Sequence, residues 1–287
     1  MSPGATLQPV AGNFQQRFCR FPRSHLYDYT RGRRKSKALG RSRPGKPLGK
    51  FLFLVYSVLV NGDIPCNSRL MLRRNSRKVK SKIDLHVHSR NSGDNDADPE
   101  ESVSRAIEMG LDGIAFTEHY SFEASEPVER LREKYRGSIM LFRGVEFSAA
   151  EGHCLVFGVD TDRLDIRYAP IREVIRIVTM AGGVLIPTHP YRGGNSIGEL
   201  IFAVPGISAV EGYNGANMHA MNVKAVEAAG KMKLPYTGGS DAHHPIEVGS
   251  CYTLFDDAVT GENFLSLLKA GRFTGIDTRK ISRAMML

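Results

Sequence analysis

From Lys82 onward, short apolar runs alternate with amphipathic stretches, and histidines and carboxylates fall at or just beyond the ends of those runs. KIDLHVH is followed by DPEESVSRAIEMG, where Asp98 suits a cap, Pro99 a first turn and Gly110 a helix stop. Val103, Ile107 and Met109 supply the apolar stripe of that helix. GIAFT (113–117) reads as a strand and EPVERLREKY as a helix. The apolar runs 139–147 and 154–159 come next, with little room for a helix between them. APIREVIRIVTMAG reads as a helix, GVLIP and GISAVE as strands, NVKAVEAAGKM as a helix, LPYTG as a strand and GENFLSLLKAG as a helix. Repeated strand–helix units predict an α/β domain with strands buried on both faces, as an open sheet or a closed barrel.

In either architecture chemistry gathers at the carboxyl ends of the strands. His86, His88, Glu118, His119, Glu146, His189, Glu211, Asp241 and His243 all fall there. His86 and His88, spaced i, i+2 on a strand, point to one side of it. Of nine histidines, six (His86, His88, His119, His153, His189 and His243) can join one cluster, with Asp94, Glu146 and Asp241 as oxygen ligands. Imidazole and carboxylate together suit zinc, manganese or iron. His219, in a helix start, His244 and His25 are left outside this set.

Net charge must be read by segment. Residues 1–80 carry eighteen Lys and Arg against Asp28 and Asp63, whereas 81–287 carry twenty-one basic and twenty-eight acidic residues. The positive balance therefore belongs to a leader and does not assign a nucleic-acid substrate to the rest. RGRRKSKALGRSRPGKPLGK (31–50) offers no periodic apolar face and is expected to be disordered. FLFLVYSVLV (51–60) is about half the roughly twenty residues that span a bilayer. A transit peptide, a basic tail making weak contact with nucleic acid or anionic lipid, and an over-long gene start with Met71 beginning the product are alternative readings of residues 1–80. Cys19, Cys66, Cys154 and Cys251 form no CxxC and no disulfide framework; Cys154 and Cys251 read as buried thiols, in keeping with a cytoplasmic setting.

DLHVHS, TEHY, RGVEFS, EGHCLVFG, PTHPYRGG and GGSDAHH resemble the PHP (polymerase and histidinol phosphatase) family of metal-dependent phosphoesterases over nearly all of 82–275. The resemblance implies a distorted TIM-like (β/α)7 barrel over 81–287, with two or three divalent ions, manganese or zinc first and iron also open, at the C-terminal strand ends. It implies one ion on His86, His88 and Asp241, another on Asp94, His119 and His189, and a third on His153 and His243, with Glu146 bridging. Where the family's segment reads Thr-Asp-His, this chain has Thr117, Glu118 and His119. Glu118 either orients a ligand, contacts substrate or ion, or makes a salt bridge at the rim.

Clustered divalent ions activate water and neutralise charge on phosphorus and on the leaving oxygen. The expected function is thus phosphoester hydrolysis on a small phosphate ester, a nucleotide or a nucleic-acid end. Arg192 and Arg143 are the cations expected to grip phosphate. Tyr191, Tyr213 and Asn214 are weaker pocket assignments. No GxxxxGK[ST] nucleotide cradle is present. Metal-dependent amide hydrolysis and an inactive regulatory barrel are the alternatives. No obligate protein partner is implied.

Overall fold

The computed structural model describes residues 80–119, 121–159 and 168–279. The basic leader, its apolar run, Cys19, His25 and Cys66 lie outside the described residues. Every described residue falls within one compact unit, 70–287.

Among the described residues the first strands are β1 (Ser81–Val87), β2 (Gly113–Phe116), β3 (Met140–Arg143), β4 (Val145–Ala149) and β5 (Gly152–Phe157). They are followed by β6 (Val184–Pro187), β7 (Val210–Asn214), β8 (Tyr236–Gly239), β9 (Cys251–Phe255) and β10 (Phe273–Asp277). The helices are α1 (Pro99–Glu108), α2 (Val128–Lys134), α3 (Ile171–Met180), α4 (His219–Met232) and α5 (Phe264–Ala270).

This is an α/β fold with mixed sheets, ordered β10-β9-β1-β2-β3, β4-β5-β6 and β7-β8. The expected closed seven-stranded barrel is not formed by hydrogen bonding among the described residues. One reason lies between β4 and β5. Too few residues separate them for a crossover helix, so they pair antiparallel from Val145↔Val156 to Ala149↔Gly152, and β6 continues in the same sense. Isolated backbone pairs Val87↔Ala242 and His119↔Glu146 join the three sheets at their polar ends.

The apolar run 139–147 divides into β3 and β4 at Gly144, where a Cβ would lie 2.6 Å from the Phe157 ring. GISAVE enters its strand only at Val210, because pairing with β8 begins at Val210↔Tyr236. CYTLF and FTGID, not anticipated as strands, form an antiparallel pair, with α5 between them in the chain, on the edge of β1.

Helix positions follow from side-chain spacing. In α3, Ile171, Val174, Ile175 and Val178 are buried at i, i+3, i+4 and i+7, and the free Ile171 N–H donates to Glu151 Oε2 at 2.7 Å. Each such side chain, fully buried, contributes about 1.5–3 kcal/mol. Asp98 caps α1 by accepting from Glu100 N, with Pro99 in the first turn, as expected. Its buried stripe, however, runs through Val103 and Ala106, and Ile107 is 40% exposed. A second core stacks Phe142 on Phe264 at 3.9 Å between ring centroids, with Phe157, Phe255 and Phe273 around them. Cys154 and Cys251 are buried free thiols, and burial raises both above the usual thiol pKa. Among the described residues no helix is long and apolar enough to cross a membrane.

Two features fix β8 beneath β1 and so place the polar end. Asp84, fully buried, accepts from the backbone N–H of His86 at 3.2 Å, Ser240 at 2.8 Å and Gly249 at 2.9 Å. Burial pushes its pKa up to about 6 against the pull of those donors. Gly239 packs so closely that a Cβ there would lie 2.4 Å from His86 Cβ. Gly239→Ala must therefore separate β8 from β1, at an expected cost of about 1–3 kcal/mol. Urea unfolding checks this; a midpoint equal to wild type would show that the contact is soft.

Candidate metal centre

β1 delivers His86 from its last turn of pleat and His88 from just past its end, with their Nε2 atoms 3.0 Å apart and both rings buried. Opposite them come Asp241, two residues beyond β8, and His189, two beyond β6. Both hold positive φ, +53° and +29°, a costly backbone for residues other than glycine that turns their side chains into the cluster. Glu146 sits within β4. His153, opposite Ser148 on β5, falls on the same face of that pair.

Glu146 is the hub. Its Oε1 lies 3.0 Å from His189 Nε2, 3.1 Å from His153 Nδ1 and 3.6 Å from His86 Nε2. Its Oε2 lies 3.0 Å from His119 Nδ1 and 3.4 Å from His88 Nε2. Asp241 Oδ1 stands 3.3 Å from the Nε2 atoms of both His86 and His88. Asp94 Oδ2 spans His119 Nε2 at 3.0 Å and His243 Nε2 at 3.1 Å.

All nine expected metal residues thus lie together, eight of them in groups that differ from the expected partition, with Asp94 beside them through His119 and His243. The structure gathers His86, His88 and Asp241; Glu146, His153 and His189; and His88, His119 and His243. His189 is grouped with Glu146 and His153 instead of Asp94 and His119, because β6 is hydrogen-bonded to β5, the strand that carries His153. His243 likewise pairs with Asp94 and not with His153.

The donor set fits cations. His86 Nδ1 donates to Glu211 Oε1 at 2.8 Å, since a carboxylate only accepts. His243 Nδ1 donates to the Asp241 carbonyl at 3.0 Å. His189 Nδ1 donates to Ser196 Oγ at 3.4 Å, whose own proton goes to the His189 carbonyl. Assigned from these partners, the Nε2 lone pairs of His86 and His243 face carboxylate oxygens with no hydrogen between them, and at His189 the Thr188 hydroxyl, 3.1 Å from both Nε2 and Glu146 Oε1, brings a single hydrogen to the pair. Only a proton or a metal ion reconciles such neighbours.

The electrostatics agree. Burial disfavours the His88 cation, yet Asp241 and Glu146 raise its pKa to about 9. His86 is raised against the same burial penalty by Asp241, Glu211 and Glu146. Burial would raise Glu146, but His86, His119, His153 and His189 hold it well below the usual carboxylate range. Asp241 is depressed in the same way by His86 and His88.

The other expected site residues separate. Arg143 turns away from the cluster: Nε donates to Ser125 Oγ at 2.9 Å, Nη1 to Glu129 at 3.1 Å and Nη2 to the Phe122 carbonyl at 2.8 Å. With its guanidinium also over the Phe122 ring, Arg143 fastens the 122–129 segment and does not line the centre. Arg192 does reach the centre, but its Nη2 donates to Asp241 Oδ2 at 2.5 Å and Asn214 at 2.6 Å, while Nε donates to Asn217 at 2.7 Å. The free fork expected for phosphate is therefore occupied, and Arg192 braces Asp241. Glu118, fully buried, contacts Ser89 and Ser92 and, among the described residues, makes no rim salt bridge. Tyr191 lies under the Lys224 ammonium, and Tyr213 packs on Tyr236. His219 begins α4 and His244 is exposed, both outside the cluster.

Glu211 is the residue that sequence reading placed at a strand end but left out of the site. It orients His86 and also accepts from His189 N at 2.7 Å and Asn214 Nδ2 at 2.9 Å. In the structure it is the second residue of β7, because that strand begins at Val210; a carboxylate following an apolar run was the available signal.

A family model described as PHP domain matches residues 84–195, and one described as PHP-associated matches 219–273. A search of curated proteins finds no match. The fold is similar to a two-domain protein from Bacteroides vulgatus containing a predicted PHP-like metal-dependent phosphoesterase, with TM-score 0.55 and 20% identity over 70% of this chain and 66% of that one. This chain therefore spans just under two thirds of that protein. PsfC from Pseudomonas syringae is similar at TM-score 0.54 and 21% identity, covering 69% of this chain and 92% of that one. An amidohydrolase from Chromobacterium violaceum with bound sulfate is similar at TM-score 0.50 and 18% identity, covering 67% and 96%. At these identities the likeness concerns the fold.

The three groups differ in access to water. Side chains of Asp94 and His243 are 37% and 38% exposed, whereas those of His86, His88 and Asp241 are at most 2% exposed. Solvent access loosens a site. Stepwise chelation followed by metal analysis should therefore show two stages of loss, with Asp94→Ala abolishing the early one. Loss in a single stage, unchanged by that substitution, would show that exposure does not rank the groups.

Proposed function

The chain belongs to the PHP-domain family, and on that basis we propose that it hydrolyses a phosphoester with two or three divalent ions held by His86, His88, Asp94, His119, Glu146, His153, His189, Asp241 and His243. The observation that carries this reading is Glu146, one buried carboxylate shared among five imidazoles. Bound ions would supply activated water and charge neutralisation at phosphorus and at the leaving oxygen. The protein's own contribution is positional. Glu211 and Asp241 hold the inner histidines, and Asp94 spans the outer two. Arg192, part-exposed, pairs with Asp241 and holds it in place, so attraction for an anionic substrate would come from the bound ions.

We read the three sheets and their joining bridges as an opened form of the seven-stranded barrel. Residues 81–287 are its domain and 1–80 a separate leader; limited proteolysis that spares the former supports the division. Manganese and zinc are the preferred ions, and a cytoplasmic setting suits the free thiols. A small phosphate ester, a nucleotide or a nucleic-acid end is the substrate class.

Amide hydrolysis is the second reading, prompted by the fold likeness to an amidohydrolase. The shared position is held here by Glu146, where related amide-cleaving sites use a modified lysine, which favours the phosphoester. Phosphomonoesters, phosphodiesters, short single strands and amides should be assayed side by side with manganese- and zinc-loaded protein. Phosphoester turnover is expected, and Glu146→Gln should lower metal affinity by at least about tenfold and turnover with it. Amide turnover without phosphoester turnover would reverse the assignment, and undiminished metal binding in E146Q would remove Glu146 from the shared position.

A further inference from the structure

His86 has a carboxylate to fix its tautomer, but His88 has only a serine. A hydroxyl both donates and accepts, so by itself it leaves the imidazole free to carry its proton on either nitrogen. Ser92 Oγ lies 3.1 Å from His88 Nδ1, 3.1 Å from the His119 backbone N and 2.5 Å from Glu118 Oε2. The His119 N–H can only donate, so it occupies one lone pair of the hydroxyl. Glu118 accepts from Ser89 N at 2.9 Å and from Ser89 Oγ at 2.5 Å, so it takes the Ser92 proton as a further acceptor contact. One lone pair of Ser92 then remains, and it faces His88 Nδ1.

We propose that Ser92, its hydroxyl aimed by Glu118, is a positioning residue that keeps the proton of His88 on Nδ1 and turns the Nε2 lone pair toward the ions. The opposite face of the ring agrees: Nε2 meets Asp241 Oδ1 at 3.3 Å, Glu146 Oε2 at 3.4 Å and His86 Nε2 at 3.0 Å, with no hydrogen-bond donor fixed among them. Glu118 and Ser92 are both buried, so water does not compete for the hydroxyl. His88 is the histidine shared by two of the three ligand groups, and a reversed ring would weaken both. The inference rests on the metal reading of the same cluster. It also gives the longer Glu118 side chain a task in this chain: its carboxylate reaches Ser89 and Ser92 together.

The test uses zinc-loaded, histidine-15N-labelled full chain, read by imidazole NMR and by chelator competition for zinc. Wild type should show a solvent-protected Nδ1–H on His88. Ser92→Ala should lose that protection and weaken zinc binding roughly 10- to 100-fold, the range for partners of metal-ligating histidines. Glu118→Ala frees the hydroxyl to turn and should have the same effect. Glu118→Gln separates orientation from charge, because its carbonyl can still accept from Ser89 N and Ser92 Oγ. It should keep the protected Nδ1–H and stay within about threefold of wild-type affinity, well short of the loss expected on removing the partner. Thermal unfolding of each variant identifies any that fail to fold, and the Gln variant keeps the comparison usable if Glu118→Ala does. Wild-type zinc affinity in S92A, or loss in E118Q equal to that in E118A, would overturn the proposal. Zinc binding absent from wild type itself would overturn the metal reading beneath it.

Discussion

Buried carboxylates surrounded by imidazole lone pairs are the constraint on which the centre depends. Glu146 and Asp241 lie almost wholly out of water, where an unpaired charge costs several kcal/mol. Of the two, Asp241 is met by Arg192, and no lysine or arginine is paired with Glu146 among the described residues. The histidines around them can supply charge only by taking protons. A divalent cation meets the need of both partners at once, engaging lone pairs and carboxylate oxygens that otherwise face each other. The folded chain is therefore organised to present that demand in one place.

The surrounding backbone is shaped to the same end. His189 and Asp241 occupy left-handed conformations just beyond their strands, and Gly239 lets β8 approach β1 to within the reach of a Cβ. Asp84 then ties β1 to the turns on either side of Asp241. Around the ligands, Glu211 orients His86 directly while Glu118 works on His88 through Ser92. These outer contacts are largely hydrogen bonds from rigid strand ends, which leaves little freedom for the rings to turn.

Much of this was legible in the sequence because metal chemistry uses a small alphabet. HxH on a strand, and carboxylates and histidines repeatedly at strand ends, marked seven of the nine without any distances; Asp94 and His153 entered as ligand types in neighbouring motifs, and the same rule also marked Glu118 and Glu211. The partition within the set was not legible. It depends on which strands are neighbours, and the hairpin that places β5 between β4 and β6 brings His153 to His189. The arginines show the same limit. Arg143 and Arg192 are alike as sequence signals, yet the first is taken up by Ser125, Glu129 and Phe122 and the second by Asp241 and two asparagines. Glu118 illustrates another kind of limit, since the value of its extra methylene depends on two serines nearly thirty residues earlier. The antiparallel pair of β9 and β10 is not legible because it covers the edge of β1, a tertiary need with no local motif.

Whether Glu146 is shared between ions is decided by anomalous diffraction from crystals of the zinc- or manganese-loaded protein. Two or three anomalous peaks are expected, with Glu146 touching more than one and with Nε2 of His86 and His88 as ligand atoms. Fully loaded crystals with no peak among these residues, or with a single ion that Glu146 does not touch, would contradict a shared carboxylate at the heart of the centre.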